Sequence, residues 1–212
     1  MKAALFDLDG VVFDTEPQYT VFWGAVMREY YPQEPGLEQK IKGQTLVQIY
    51  DRYFTDPADQ SVITSRLNDF ERHMKFEYVP GFETFVSDLK AHGVKTAVVT
   101  SSNREKMATV YSNHPECRQY FDRILTSEDF ARSKPDPDCY LKAAAVFGVS
   151  PKECVGFEDS FNGLKAVRAA GQTVVGLATT NKAEAIMPYS DIVIPDYREL
   201  DYDKLLQMCA AL

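Results

Sequence analysis

The sequence predicts an α/β fold: a mostly parallel sheet with helices on both faces, plus an inserted block of helices. An apolar run, Ala3–Phe6, stops at the aspartates Asp7 and Asp9, with Gly10 behind them. From Thr15 to about Tyr78 the pattern is helical, with no convincing strand. Beyond Pro80 and Gly81, helices and strands alternate, the rhythm of a parallel sheet built from crossover units.

Taken in order, the first strand is short and apolar, as a strand buried on both faces must be. A helix over Thr20–Tyr31 follows from Val21, Phe22, Ala25 and Val26 and is stopped by Pro32. A second, Gln44–Phe54, carries Leu46, Val47, Ile49, Tyr50 and Tyr53, and a third spans Val62–Tyr78. Phe82–Ala91 is a helix closed by His92 and Gly93, where glycine accepts the left-handed turn that ends a helix. Val94–Val99 is a strand, Arg104–Asn113 a helix and Asp122–Leu125 a short strand. Asp138–Phe147 is a helix ending at Gly148, and Leu164–Ala170 one ending at Gly171. Strands at Cys154–Phe157, Thr173–Leu177 and Asp191–Ile194 complete the sheet. The expected division is a core of residues 1–14 and 80–212 and a helical block of residues 15–79, with connectors near Asp14 and Tyr78 as hinges.

Composition narrows the function classes. At 212 residues the chain buries a substantial core, and 45% hydrophobic with 25% charged residues is ordinary for a globular protein. A net charge of −8 argues against binding nucleic acid or a membrane surface through a basic face. The apolar start breaks at Asp7, too early for a signal peptide, and no run approaches the ~18 residues of a membrane span. Cys117, Cys139, Cys154 and Cys209 have no metal-ligand spacing and read as reduced, mostly buried thiols. A cytoplasmic protein is expected.

Polar groups gather at the predicted strand ends. Ligands in open α/β sheets bind outside the carboxyl ends of the strands, where Asp7 and Asp9 stand, although such a pair also occurs in a plain turn. Thr100, Ser101, Ser102 and Asn103 end a strand and open a helix; they offer hydroxyls and free amides to a phosphate, or a simple helix cap. Lys134 stands in a loop stiffened by Pro135 and Pro137, where a lone lysine is ordinarily solvated. Glu158 and Asp159 follow an apolar strand and suit either a helix N-terminus or a hard-metal site. Gly156 and Gly163 lack the spacing and the following Lys-Ser/Thr pair of a phosphate-binding P-loop. Together the groups answer one chemical problem. A carboxylate attacking a phosphate monoester meets charge repulsion, which a divalent cation and a lysine relieve. Oxygen-only ligands suit Mg²⁺, and a second acid beside the nucleophile can protonate the leaving oxygen and then activate water.

At this point the chain resembles the haloacid dehalogenase superfamily over its full length, through Asp7, Asp9, Gly10, Thr100, Lys134, Glu158 and Asp159 in that order. The resemblance implies a Rossmann-like core with a helical cap. It implies Asp7 as the phosphorylated nucleophile and Asp9 as general acid and base. Thr100, the backbone after it and Lys134 would hold the phosphoryl group. Mg²⁺ would sit on Asp7, the Asp9 carbonyl and Asp159, with Glu158 close by. The second acid, Asp9, argues against true dehalogenase chemistry. Asp14, Thr15, Lys42, Gly43, Gln44 and Thr45 resemble the β-phosphoglucomutase-like subgroup, which puts Thr15, Tyr19, Lys42 and Gln44 among the substrate-binding residues. Those mutases carry a histidine where this chain has Tyr19 and an arginine where it has Leu46. A phosphatase of a small phosphorylated metabolite, with a sugar phosphate as first guess, is therefore expected ahead of a hexose phosphomutase. A catalytically idle phospho-ligand binding protein would have lost a nucleophile, acid or metal ligand, and Asp7, Asp9, Lys134 and Asp159 are all present. A monomer is expected from the resemblance.

His73, His92 and His114 are isolated from these groups, and His92 suits a helix C-terminus. Among the cap aromatics, Phe22, Trp23, Tyr50, Tyr53 and Phe54 are expected in the cap's own core, with Tyr19 turned to the site.

Overall fold

The computed structural model describes residues 1–212. The chain runs β1 (Ala3–Phe6), α1 (Glu16–Tyr30), α2 (Leu37–Lys40), α3 (Leu46–Tyr53), α4 (Pro57–His73), α5 (Phe82–Ala91), β2 (Lys95–Val99), α6 (Arg104–Asn113) and α7 (Cys117–Tyr120). It continues through β3 (Arg123–Leu125), α8 (Asp138–Phe147), β4 (Cys154–Glu158), α9 (Phe161–Ala169), β5 (Thr173–Leu177), α10 (Ala183–Ile186), β6 (Ile192–Ile194) and α11 (Tyr202–Ala210). The sheet is six-stranded and parallel, in the order β3-β2-β1-β4-β5-β6. The order reverses between β1 and β4, and the crevice beyond their carboxyl ends is where such sheets bind ligands.

Apolar clusters cover both faces. On one, the Phe6 ring stacks on Phe157 with centroids 4.5 Å apart and meets Phe82 edge-on at 5.6 Å. On the other, Leu5, Ala97 and Val99 pack against Tyr140, Ala143 and Leu164. The helices between β1 and α5 keep a separate cluster of Trp23, Val26, Met27, Ile49, Tyr50, Phe54 and Ile63, with Tyr19, Phe22 and Tyr53 packed against it. All four cysteines are free thiols, and no helix is long and apolar enough to cross a membrane.

Within the helical block, the individual helices differ from the sequence expectation in their boundaries. α1 starts at Glu16 rather than Thr20, because Pro17 in its first turn has no amide hydrogen to leave unpaired. α4 lies several residues earlier than the expected Val62–Tyr78. The Asp56 side chain caps it by accepting from the Ala58 amide at 2.8 Å, and Pro57 opens it. Met74 is already extended. Met74 and Phe76 are buried while Lys75 and Glu77 are exposed, the period of a strand rather than of a helix. This segment returns to the core beside the outgoing chain: the Val79 amide donates to the Val12 carbonyl at 2.9 Å and the Asp14 amide to that of Glu77 at 2.8 Å. The connectors near Asp14 and Tyr78 are therefore bonded to each other. α2, α7, α10 and α11 have no counterpart in the sequence reading. α11 forms because the Asp201 side chain accepts from the Lys204 amide at 2.7 Å and Leu205 is buried.

Candidate active site

The site is built from strand ends. β1 delivers Asp7, whose amide donates to the Phe157 carbonyl at 3.0 Å. The chain then turns at Gly10, where φ is +74° and a Cβ would lie 2.2 Å from Asp159 Oδ2. Only glycine permits that approach, so the turn that presents Asp9 also brings the β4 acids against it. Lys134 Nζ reaches through the core to Asp7 Oδ1 and Glu158 Oε1, each at 2.6 Å, and to the Val99 carbonyl at 3.0 Å. Tyr140 donates to Glu158 Oε1 at 2.7 Å. The Thr180 hydroxyl donates to Asp159, and Asn181 Nδ2 holds its carbonyl at 2.9 Å. Carboxylate oxygens of Asp7, Glu158 and Asp159 lie within 4.8 Å of one another, and all three residues are buried.

A cavity of about 520 Å³ opens above this floor, of a size for a small metabolite. Asp7, Asp9, Thr100, Ser101, Ser102, Asn103, Lys134 and Asp159 line it from the core; Tyr19, Lys42 and Gln44 line it from the helical block. Thr100 Oγ1 accepts from the Ser102 amide at 3.0 Å, while the buried Ser101 hydroxyl has no partner in the protein. Asn103 does act as the cap of α6, accepting from the Lys106 amide at 2.9 Å. Lys42 pairs with Glu16 at 2.9 Å, and Gln44 donates to the Lys40 carbonyl. The block sits down on the core: Gln48 Nε2 donates to the Lys134 carbonyl at 3.3 Å and Ser133 Oγ to Thr45 Oγ1 at 3.2 Å.

Two expected residues stand apart from the cavity. Thr15 is fully buried; its hydroxyl donates to Asp9 Oδ1 at 2.5 Å, so it braces the acid from behind rather than lining the space. Glu158 is likewise fully buried beneath Asp7, because Lys134 and Tyr140 draw it down. Sequence reading missed Lys106 and Glu71. Lys106, on α6, bonds Asp9 Oδ2 at 2.5 Å, and Glu71, on α4, accepts from the Tyr19 hydroxyl at 2.6 Å. A lysine and a glutamate within helices read as solvated surface, and no local spacing signals either contact.

The haloacid dehalogenase-like hydrolase family pattern matches residues 1–171. The chain belongs to the haloacid dehalogenase-like hydrolases. It is 29% identical over 209 residues to a bifunctional riboflavin kinase/FMN phosphatase of Arabidopsis thaliana, covering 96% of this chain and 55% of that protein, so it spans about half of that relative. It is 28% identical over 192 residues to a β-phosphoglucomutase of Bacillus subtilis, covering 84% of this chain and 83% of that one. In fold it matches a family IA haloacid dehalogenase hydrolase of Entamoeba histolytica at a TM-score of 0.84 and 21% identity, over 99% of this chain and 100% of the other.

In this haloacid dehalogenase-like hydrolase the acids share a buried, crowded floor. Burial pushes the Asp7 carboxyl up to about 7 against the pull of Lys134, with Glu158 and Asp9 adding to the rise. Burial, then Glu16, Glu158 and Asp7, pushes Asp159 well above the usual carboxylate range. Burial works against the Lys134 charge, but Asp7 and Glu158 outweigh it and hold the ammonium above the ordinary lysine range. A raised Asp7 value means that the metal-free fold binds this proton more tightly than the unfolded chain does. Its contribution to stability is present in full below the unfolded value of 3.8 and is lost as pH rises through about 7. A cation on the same oxygens competes with that proton. Added Mg²⁺ is therefore expected to raise the Tm more at pH 8 than at pH 5. Melts in EDTA and in excess Mg²⁺ check this, and an equal shift at both pH values would refute it.

Proposed function

We propose that the protein is a Mg²⁺-dependent phosphatase of a small phosphorylated metabolite with a hydroxyl-rich, uncharged leaving group. The observation that carries the reading is the pair Asp7 and Asp9 on one strand end, held by different partners. Asp7 is paired to Lys134 in the floor, and Asp9 is bonded to Thr15, Ser102 and Lys106 at the side. Separate environments let the two carboxyls take separate roles.

In this reading Asp7 attacks phosphorus and the bond to the leaving oxygen breaks, while Asp9 gives that oxygen its proton. Asp9 then takes a proton from water, which attacks the phosphorus of the aspartyl phosphate and frees Asp7. The Thr100 hydroxyl, the Ser101 amide and Lys134 hold the phosphoryl oxygens. The donor set fits Mg²⁺, being all oxygen and clustered, with Gly10 leaving the approach to Asp159 open. Asp7, the Asp9 carbonyl and Asp159 would hold the ion, with Glu158 behind them. Bound there, Mg²⁺ supplies positive charge to the phosphoryl oxygens.

The cap side of the cavity favours hydrolysis over mutase chemistry. Its one basic residue, Lys42, is bound to Glu16, while Glu38 and Glu71 add further negative charge. A mutase must hold a second phosphate there, and this wall offers it no unpaired cation. Phosphate release across a panel of sugar phosphates, polyol phosphates and nucleotides, with and without Mg²⁺, tests the reading. Selective Mg²⁺-dependent release from a monophosphate is expected. Isomerisation of a hexose phosphate that needs a bisphosphate primer, without net release, would overturn it in favour of the mutase.

A further inference from the structure

We propose that Lys106 is a positioning residue that aligns the Asp9 carboxylate, and that the helical block completes its clamp through Tyr19. The inference rests on the assignment of Asp9 as the acid that protonates the leaving oxygen.

Lys106 is 2% exposed, on a face of α6 that also buries Met107 and Val110. Taking an ammonium out of water costs several kcal/mol, and an apolar side chain beside those neighbours would carry no such cost. The charge is held by groups of the site. Nζ lies 2.5 Å from Asp9 Oδ2 and 3.1 Å from Ser102 Oγ, and Ser102 Oγ itself donates to Asp9 Oδ2 at 3.1 Å. With Thr15 on Oδ1 at 2.5 Å, both oxygens of Asp9 are fixed, so its carboxyl plane is set by Thr15 on one side and Lys106 on the other. All the donors to Asp9 in this arrangement are side chains, which makes its alignment a property of these residues rather than of the backbone turn.

The remaining contact comes from the helical block. The Tyr19 ring lies 4.5 Å from Nζ, its face toward the ammonium, a geometry in which an aromatic ring attracts a cation. Tyr19 is in turn anchored by its hydroxyl to the buried Glu71 of α4 at 2.6 Å. A block lifted off the core would take the ring away and leave Lys106 held by Asp9 and Ser102 alone. Docking of the block thus tightens the group that aligns the acid.

The test compares leaving groups. An alkyl phosphate such as glycerol 1-phosphate needs a proton on its departing oxygen, whereas p-nitrophenyl phosphate does so far less. The ratio of their kcat/KM values reports on steps up to leaving-group departure and is independent of how much protein is folded. In Lys106→Met, kcat/KM for the alkyl ester is expected to fall about a hundredfold, and that for the aryl ester by less than about tenfold. Lys106→Arg keeps the cation in another place and is expected to fall between. Tyr19→Leu should shift the ratio the same way by a few fold. An unchanged ratio in Lys106→Met, with both activities reduced together, would mean a merely structural lysine and overturn the proposal. So would a raised KM at constant kcat, the mark of a direct substrate contact. An unchanged ratio in Tyr19→Leu overturns the part assigned to the block. A wild-type protein that releases no phosphate from these esters or from any monophosphate of the wider panel overturns the phosphatase reading itself, a result distinct from all of these.

Discussion

Asp7→Asn is expected to reduce phosphate release by about 10⁴-fold or more, the scale on which enzymes lose rate when their nucleophile is removed. The amide keeps the shape of the carboxylate, and its oxygen still accepts from Lys134 Nζ, which now lies 2.6 Å from Asp7 Oδ1. What it loses is the anionic oxygen that attacks phosphorus in the proposed mechanism. Binding is expected to survive or tighten, since a buried negative charge facing the incoming phosphate has been removed. Loss of kcat with an unchanged or smaller Kd is therefore the signature. Acid-quenched wild-type protein incubated with substrate should carry phosphate on the peptide containing Asp7, and Asp7→Asn should carry none. Retention of a hundredth or more of the wild-type rate would show that another group makes the first bond.

Asp7, Asp9, Thr100, Glu158 and Asp159 were legible as a group because the carboxyl ends of neighbouring parallel strands converge, whereas Lys134, in the loop before α8, was legible only through the family resemblance. An apolar run that stops at polar residues therefore announces its place in space. β1 and β4 are neighbours at the reversal of strand order, and their acids meet there. The rest depended on information the pattern does not hold. Lys106 is buried only because α6 presents it to Asp9, and nothing in its neighbours distinguishes it from a solvated helix lysine. Tyr19 and Glu71 meet across 52 residues of sequence. The end of α4 differs from the expectation because Met74 and Phe76 are apolar in either period; their alternation with Lys75 and Glu77 marks the extended return segment. Thr15 carries a family position, but sequence cannot tell a hydroxyl that touches substrate from one that braces the acid behind it.

Lys134→Met is expected to produce the largest loss of stability. The ammonium is 1% exposed and joins Asp7 to Glu158 at 2.6 Å each, beside the third buried acid, Asp159. Removing one partner of a buried ion pair strands charge in a poorly hydrated place and costs about 3–5 kcal/mol. Methionine supplies the stem but not the charge. Asp7 and Asp159 are already raised by burial, and without Lys134 the opposing pull on Asp7 disappears. Protonation then becomes the way in which the fold relieves the repulsion. The sign follows: a group raised in the fold stabilises below its unfolded value and loses that contribution as pH rises through its folded value. The deficit relative to wild type should therefore be smaller at pH 5 than at pH 8 when both are unfolded by denaturant in EDTA. Mg²⁺ on the same acids supplies the missing positive charge and should recover part of the loss at pH 8, because a ligand that binds only the folded state stabilises it. Activity should not recover with it, since the donor that the proposed mechanism assigns to the phosphoryl oxygens is gone. A deficit independent of both pH and Mg²⁺ would mean that Lys134 contributes through packing alone, and the ion-pair account of this floor would fail.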